Sequence, residues 1–170
     1  MNNSFDIAIQ NCPDLRLRMI LKKLSMYDEY IMFSEATDSS FDNLLKISSF
    51  IPQQIKYLYK LYNGGYLFDT VLLSTEDFDI KTGNRLLNID LINRKLHDEC
   101  NLPINYIVFA VASFGDVYCY DTNGLDEIIQ WSIIERKIIY RWSTFYIWLN
   151  NDITTAIELI DENIILPIVE

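Results

Sequence analysis

Apolar residues recur three and four positions apart along much of the first half of the chain. Leu17, Ile20, Leu21, Leu24, Tyr27 and Ile31 follow Pro13 at this spacing. They predict a helix from Pro13 to about Phe33, with Arg16, Arg18, Lys22 and Lys23 mainly off the apolar stripe. Polar residues from Glu35 to Ser40 predict a loop, followed by a short helix from Phe41 to Ser48 capped by Ser39 or Ser40. Behind Pro52, which suits a first helical turn, Ile55, Leu58, Tyr59 and Tyr62 form a second stripe. Asn63-Gly64-Gly65 reads as the end of that helix, because Asn and Gly accept the left-handed conformation of helix C-termini. Tyr66 to Leu73 predicts a strand, Glu76 to Gly83 a loop, and Asn88 to about Glu99 a helix with Leu91, Ile92 and Leu96 on one side.

After Pro103 the pattern becomes extended. Ile104 to Ala112 is rich in β-branched and aromatic residues and predicts a largely buried strand. Ser113-Phe114-Gly115 predicts a turn. From Asp116 to Asp121 the residues alternate, with Val117 and Cys119 on one face and Asp116, Tyr118 and Tyr120 on the other. Asp121-Thr122-Asn123-Gly124 is a hairpin signal. Glu127 to Ile134 and Lys137 to Trp142 predict two further strands around Glu135-Arg136. Ser143 is a cap for a helix carrying Phe145, Tyr146, Trp148 and Leu149, and Asp152 a cap for another reaching about Glu162. Ile164 to Val169 is an apolar tail. The pattern predicts one α+β domain in which helices flank an antiparallel sheet of about four to six strands.

Composition and charge narrow the function. The chain has 170 residues, half of them apolar, enough for a core without disulfide staples. Three cysteines, Cys12, Cys100 and Cys119, with no basic-then-apolar start, predict reduced thiols and a cytoplasmic location. The longest strongly apolar stretch, Tyr106 to Ala112, is too short to span a bilayer. A net charge of −10 argues against direct nucleic-acid binding and against an anionic membrane surface. The charge is also uneven. The excess is −2 over residues 1–50, −1 over 51–100 and −7 over 101–170, where Arg136, Lys137 and Arg141 are the only bases. Such a field steers association with a basic partner, and it also serves plain solubility.

Catalytic chemistry is sparse. One histidine, His97, precedes Cys100 by three residues and offers at most two zinc ligands of the four a structural site needs. A lone histidine leaves no basis for a Ser-His-Asp arrangement, and no G-x-G-x-x-G or G-x-x-x-x-G-K stretch occurs. Asp116 and Asp121, five residues apart, fall on opposite faces of an ideal strand. Glu76-Asp77 and Asp126-Glu127 read as solvated loop acids. No catalytic residue, metal or cofactor is expected. The mixed face of Asp116, Tyr118 and Tyr120 suits binding of a protein.

The segment Ile51-Pro52-Gln53-Gln54-Ile55-Lys56-Tyr57-Leu58-Tyr59-Lys60-Leu61-Tyr62-Asn63-Gly64-Gly65 resembles the proline, helix, Asn-Gly signature of the SUKH (Smi/Knr-type) superfamily. Leu102-Pro103, the strand to Ala112, and Gly115-Asp116-Val117-Tyr118-Cys119-Tyr120-Asp121 are similar to its strand pair. Trp142-Ser143-Thr144-Phe145-Tyr146-Ile147-Trp148-Leu149 resembles its closing helix. Val111 and Ala112 depart from the polar or acidic residues common before the Gly-Asp turn. The resemblance implies residues 39–152 as a family-like core, between a helical extension, 1–38, and a C-terminal helix and tail, 153–170.

It further implies a non-catalytic α+β protein. For bacterial members it implies an immunity protein that neutralises the toxin domain of a polymorphic or contact-dependent system, many of these domains being nucleases. Together with the acidic C-terminal part, this makes Asp116, Tyr118, Tyr120, Asp126 and Glu127 the expected partner-binding residues. The expected partner is a protein toxin domain, a basic nuclease included, met by a monomer or homodimer. A scaffold or regulatory module of the same superfamily is the alternative, and an enzyme is the remote third.

Overall fold

The computed structural model describes residues 3–79 and 81–168. Helix α1 (Asn3–Asn11) is followed by α2 (Leu15–Leu24), whose N-cap Asp14 accepts a hydrogen bond from the Leu17 N–H at 2.9 Å. Leu17, Ile20, Leu21 and Leu24 are buried along α2, as their spacing predicts. The helix nevertheless ends at Leu24. A 3₁₀ turn (Ser25–Tyr30) follows, and Tyr27 leaves helical geometry at φ −126°. Ile31 opens β1 (Ile31–Glu35), so the last members of the apparent stripe share its spacing without sharing its helix. Helix α3 (Asp38–Ile47) starts three residues before the predicted Phe41 because Thr37 and Ser40 form a reciprocal capping box.

Helix α4 (Gln53–Leu61) buries Ile55, Leu58 and Tyr59 and runs directly into β2 (Tyr62–Leu67). Asn63-Gly64-Gly65 therefore lies inside a strand and does not terminate the helix. Close packing explains the glycines. A Cβ on Gly65 would stand 2.2 Å from the Met32 carbonyl oxygen in β1, and one on Gly64 would stand 2.9 Å from the Leu72 carbonyl. Gly64 and Gly65 also have positive φ, 82° and 127° respectively. Buried Asn63 turns inward and its Oδ1 accepts from the Thr75 N–H at 2.9 Å and the Thr75 hydroxyl at 3.0 Å.

The predicted strand from Tyr66 to Leu73 is instead the end of β2 and the whole of β3 (Thr70–Leu72), joined at a turn where Phe68 has a φ of 55°. After α5 (Ile89–Cys100), capped by Asn88, come β4 (Tyr106–Ala112), β5 (Val117–Asp121), β6 (Ile128–Ser132) and β7 (Lys137–Trp142). Helix α6 (Phe145–Asp161) is capped by Thr144, one residue beyond the predicted Ser143. It is one helix where two were expected. Its buried residues Phe145, Trp148, Leu149, Ile153 and Ala156 run through Asp152 without a break. Of the predicted apolar tail, residues 164–168 are described and Val169 lies outside the described residues.

The fold is α+β, with helices flanking a seven-stranded antiparallel sheet in the order β1-β2-β3-β4-β5-β6-β7. The two halves, β1–β3 and β4–β7, join where Thr70, Val71 and Leu72 pair with Ala112, Val111 and Ala110. Leu73 extends that seam by one bond, its N–H donating to the Phe109 carbonyl at 2.9 Å. Beyond Leu73 the edge of β4 is taken over by α5. Asn93 Nδ2 donates to the Val108 carbonyl at 2.9 Å, and the Val108 N–H donates to Asn93 Oδ1 at 2.8 Å. A side-chain amide thus replaces a strand. One helical turn later the His97 ring Nε2 lies 2.9 Å from the Tyr106 carbonyl. A carbonyl only accepts, so the proton of this bond sits on Nε2. The lone histidine holds a strand edge.

Candidate functional site

The site begins with α6. Its aromatic residues pack on the sheet, where the Trp148 ring stands 5.0 Å from Phe109 and 5.2 Å from Tyr118. Four residues later, one turn along the same helix, comes Asp152. This carboxylate is on the sheet side, where the Thr70 hydroxyl donates to its Oδ1 at 3.3 Å. Its Oδ2 is shielded from solvent and has no hydrogen-bond partner among the described residues.

Asp152 lines a cleft of about 590 Å³ between α6, the residues after it and two hairpin turns. The β2–β3 turn contributes Asp69, whose Oδ2 accepts from the Ser113 hydroxyl at 2.9 Å, and so from the β4–β5 turn. Tyr118, Gln130 and Trp142 form the sheet wall. Gln130 Nε2 donates to Asp116 at 2.9 Å. The Tyr118 and Trp142 rings meet nearly edge to face at 5.8 Å. Among the described residues, no Lys, Arg or His lines the cleft. Burial, followed by repulsion from Asp69, pushes the Asp152 carboxyl up to about 7. Burial also raises the Tyr118 phenol, and Asp152, Asp69 and Asp116 raise it further.

The five residues expected to meet a partner separate into three settings. Tyr118 lines the cleft, and Asp116 adjoins it through its bond to the lining residue Gln130. Tyr120, placed with them by alternation, has 0% exposure and offers a partner no surface. The reason is that β5 is buried along its whole length, so both of its faces are covered. Asp126 is exposed in the β5–β6 connection, and the neighbouring Glu127 accepts from Arg141 at 2.9 Å. These two lie at the far end of β6 from Asp116, roughly 17 Å away at 3.4 Å per residue.

Asp69 and Asp152 were missed by pattern reading. An aspartate inside a supposed strand signalled the turn at Asp69. At Asp152 the signal was its four-residue spacing from Trp148 and Ala156, which fixes its face of the helix. Cys12 and Cys119 are buried and Cys100 half-buried. Among the described residues no cluster of three or more His, Cys, Asp or Glu side chains could hold a metal. No helix among them is long and apolar enough to cross a membrane.

No curated protein and no solved structure matches the chain. A family model described as SUKH_6, SMI1-KNR4 cell-wall, matches residues 39–149. The match runs from the first turn of α3 into α6 and takes in Asn63-Gly64-Gly65, the seam of the sheet, the cleft residues Asp69 and Tyr118, and the adjoining Asp116. It spans more than half of the sequence, and on that ground the chain belongs to the SUKH_6 family of SMI1-KNR4 proteins.

Proposed function

We propose that this protein is a non-catalytic bacterial immunity protein, located in the cytoplasm, that binds and neutralises a cognate toxin domain. The observation that carries the reading is the cleft, which Asp69 and Asp152 line and Asp116 adjoins through its bond to Gln130, with no basic side chain among the described lining residues. An uncompensated anionic hollow favours a basic partner and speeds its encounter. A toxin that acts on a polyanion presents such a surface at its substrate groove, and covering that groove blocks it without chemistry. Asp116 and Tyr118 remain in the proposed contact surface, joined by Asp69 and Asp152. Asp126 and Glu127 extend it only if the partner reaches the far end of β6.

Co-expression with the toxin encoded beside this gene tests the reading. Rescue of growth and a purified one-to-one complex are expected, with an association rate that falls as salt is added. Absence of both rescue and complex overturns it. Capture of several unrelated partners without rescue favours the scaffold alternative.

A further inference from the structure

The cleft is more specific than an acidic patch. The unpartnered Oδ2 of Asp152 is a buried carboxyl oxygen, a kind of group that native structures leave unsatisfied only rarely. Asp69 repels it, which is one cause of its raised pKa. Beside this pair stand Tyr118 and Trp142, and at the mouth Phe114 is 62% exposed. The missing group is therefore a cation that can donate several hydrogen bonds and also lie against aromatic rings. A guanidinium does both, being planar, forked and weakly hydrated, whereas an ammonium supplies charge without the flat face.

We propose that the cleft between α6 and the β2–β3 and β4–β5 turns receives an arginine side chain of the partner protein, its guanidinium meeting the carboxylates of Asp152 and Asp69 beside Tyr118. The proposal rests on the immunity reading for the origin of that arginine. Docking offsets both causes of the raised Asp152 pKa, since the buried, unpartnered oxygen gains donors and a positive charge counters the repulsion from Asp69.

The test is a nitrogen-15 NMR titration of the full chain with N-acetyl-arginine methylamide, its citrulline and lysine counterparts, and free arginine. The capped arginine is expected to shift the amides of Thr70, Tyr118 and Asp152. Capped citrulline, isosteric but neutral, should bind at least tenfold more weakly, and capped lysine severalfold more weakly. Asp152→Asn removes a buried charge and should fold. It should weaken capped arginine at least tenfold, with Asp69→Asn, a second variant at a half-buried position, weakening it severalfold. Equal binding of citrulline, unchanged binding to Asp152→Asn, or no shifts at these amides overturns the proposal. Tighter binding of free arginine also overturns it, assigning the cleft to a small molecule. Failure of the titration alongside growth rescue removes the arginine site and leaves the immunity reading standing. Binding without rescue keeps the site and removes the toxin as its source.

Discussion

Replacing Asn93 with alanine takes away the group that stands in for a strand along β4. Val108 has 0% exposure, and its N–H and carbonyl both bond to the Asn93 amide, at 2.8 and 2.9 Å. In the alanine variant both groups stay buried without partners, each costing about 1–3 kcal/mol. A third bond, from Asn93 Nδ2 to the Ile89 carbonyl at 2.8 Å, is also lost, but that carbonyl lies within the helix. The expected loss is therefore about 4 kcal/mol, a large part of the roughly 5–15 kcal/mol that holds a domain together. Urea unfolding followed by tryptophan fluorescence measures it. With a slope of about 2 kcal/mol per molar, the midpoint should fall by about 2 M at unchanged slope. His97→Ala, which removes one bond at a less buried site, should cost about 1 kcal/mol. A loss under about 1 kcal/mol for Asn93→Ala refutes the reasoning, because it means that water or a shifted strand satisfies Val108 equally well.

Other perturbations follow from the same structure. Gly65→Ala should destabilise by more than about 3 kcal/mol, since its methyl meets the backbone of β1, while Gly124→Ala, with open space around it, should cost about 1 kcal/mol in urea unfolding. Asp152 holds its proton more tightly in the fold, at about 7 against the usual 3.8. Its contribution is complete below about 3.8 and is lost as pH rises through about 7, a difference of up to about 4 kcal/mol. Asp152→Asn should thus match the parent in melting temperature near pH 3.5 and exceed it at pH 8; a gap independent of pH contradicts this. Trp148→Ala should cost about 4 kcal/mol in urea unfolding, because the ring is 1% exposed and packed among Phe109, Tyr118 and Phe145. Breaking the exposed Glu127–Arg141 pair with Glu127→Gln should change stability by less than about 1 kcal/mol by the same measurement.

Where local chemistry decides, the sequence was readable. The α5 helix begins at the residue after Asn88 because that side chain accepts from the Asp90 and Leu91 N–H groups, a bond written into four consecutive residues. The α+β class followed from the change of periodicity after Pro103. Misreadings arose where distant packing decides. Asn-Gly-Gly has the same local preferences in a helix cap as in a strand, and only the approach of β1 and β3 selects the strand. Asn150-Asn151-Asp152 has the composition of a cap, but the apolar face of α6 carries the helix through it. Alternation placed Tyr120 outward, and a second covering layer made both faces interior. The cleft was half visible, through Tyr118 and the adjoining Asp116. Its other half, Asp69 and Asp152, comes from segments 83 residues apart that only the fold brings together.

The seam between β3 and β4 has a mechanical consequence. Within each half of the sheet neighbouring strands are mostly five to seven residues long, whereas the halves are joined through the three-residue β3. Partial opening of the native state should start there, so the amides crossing the seam should exchange with deuterium sooner than those between β4 and β5. The cleft draws Asp69 from one half and Tyr118 from the other. A side chain seated in it clasps the two halves of the sheet as a rivet does, and its arrival is legible as slowed exchange at the seam.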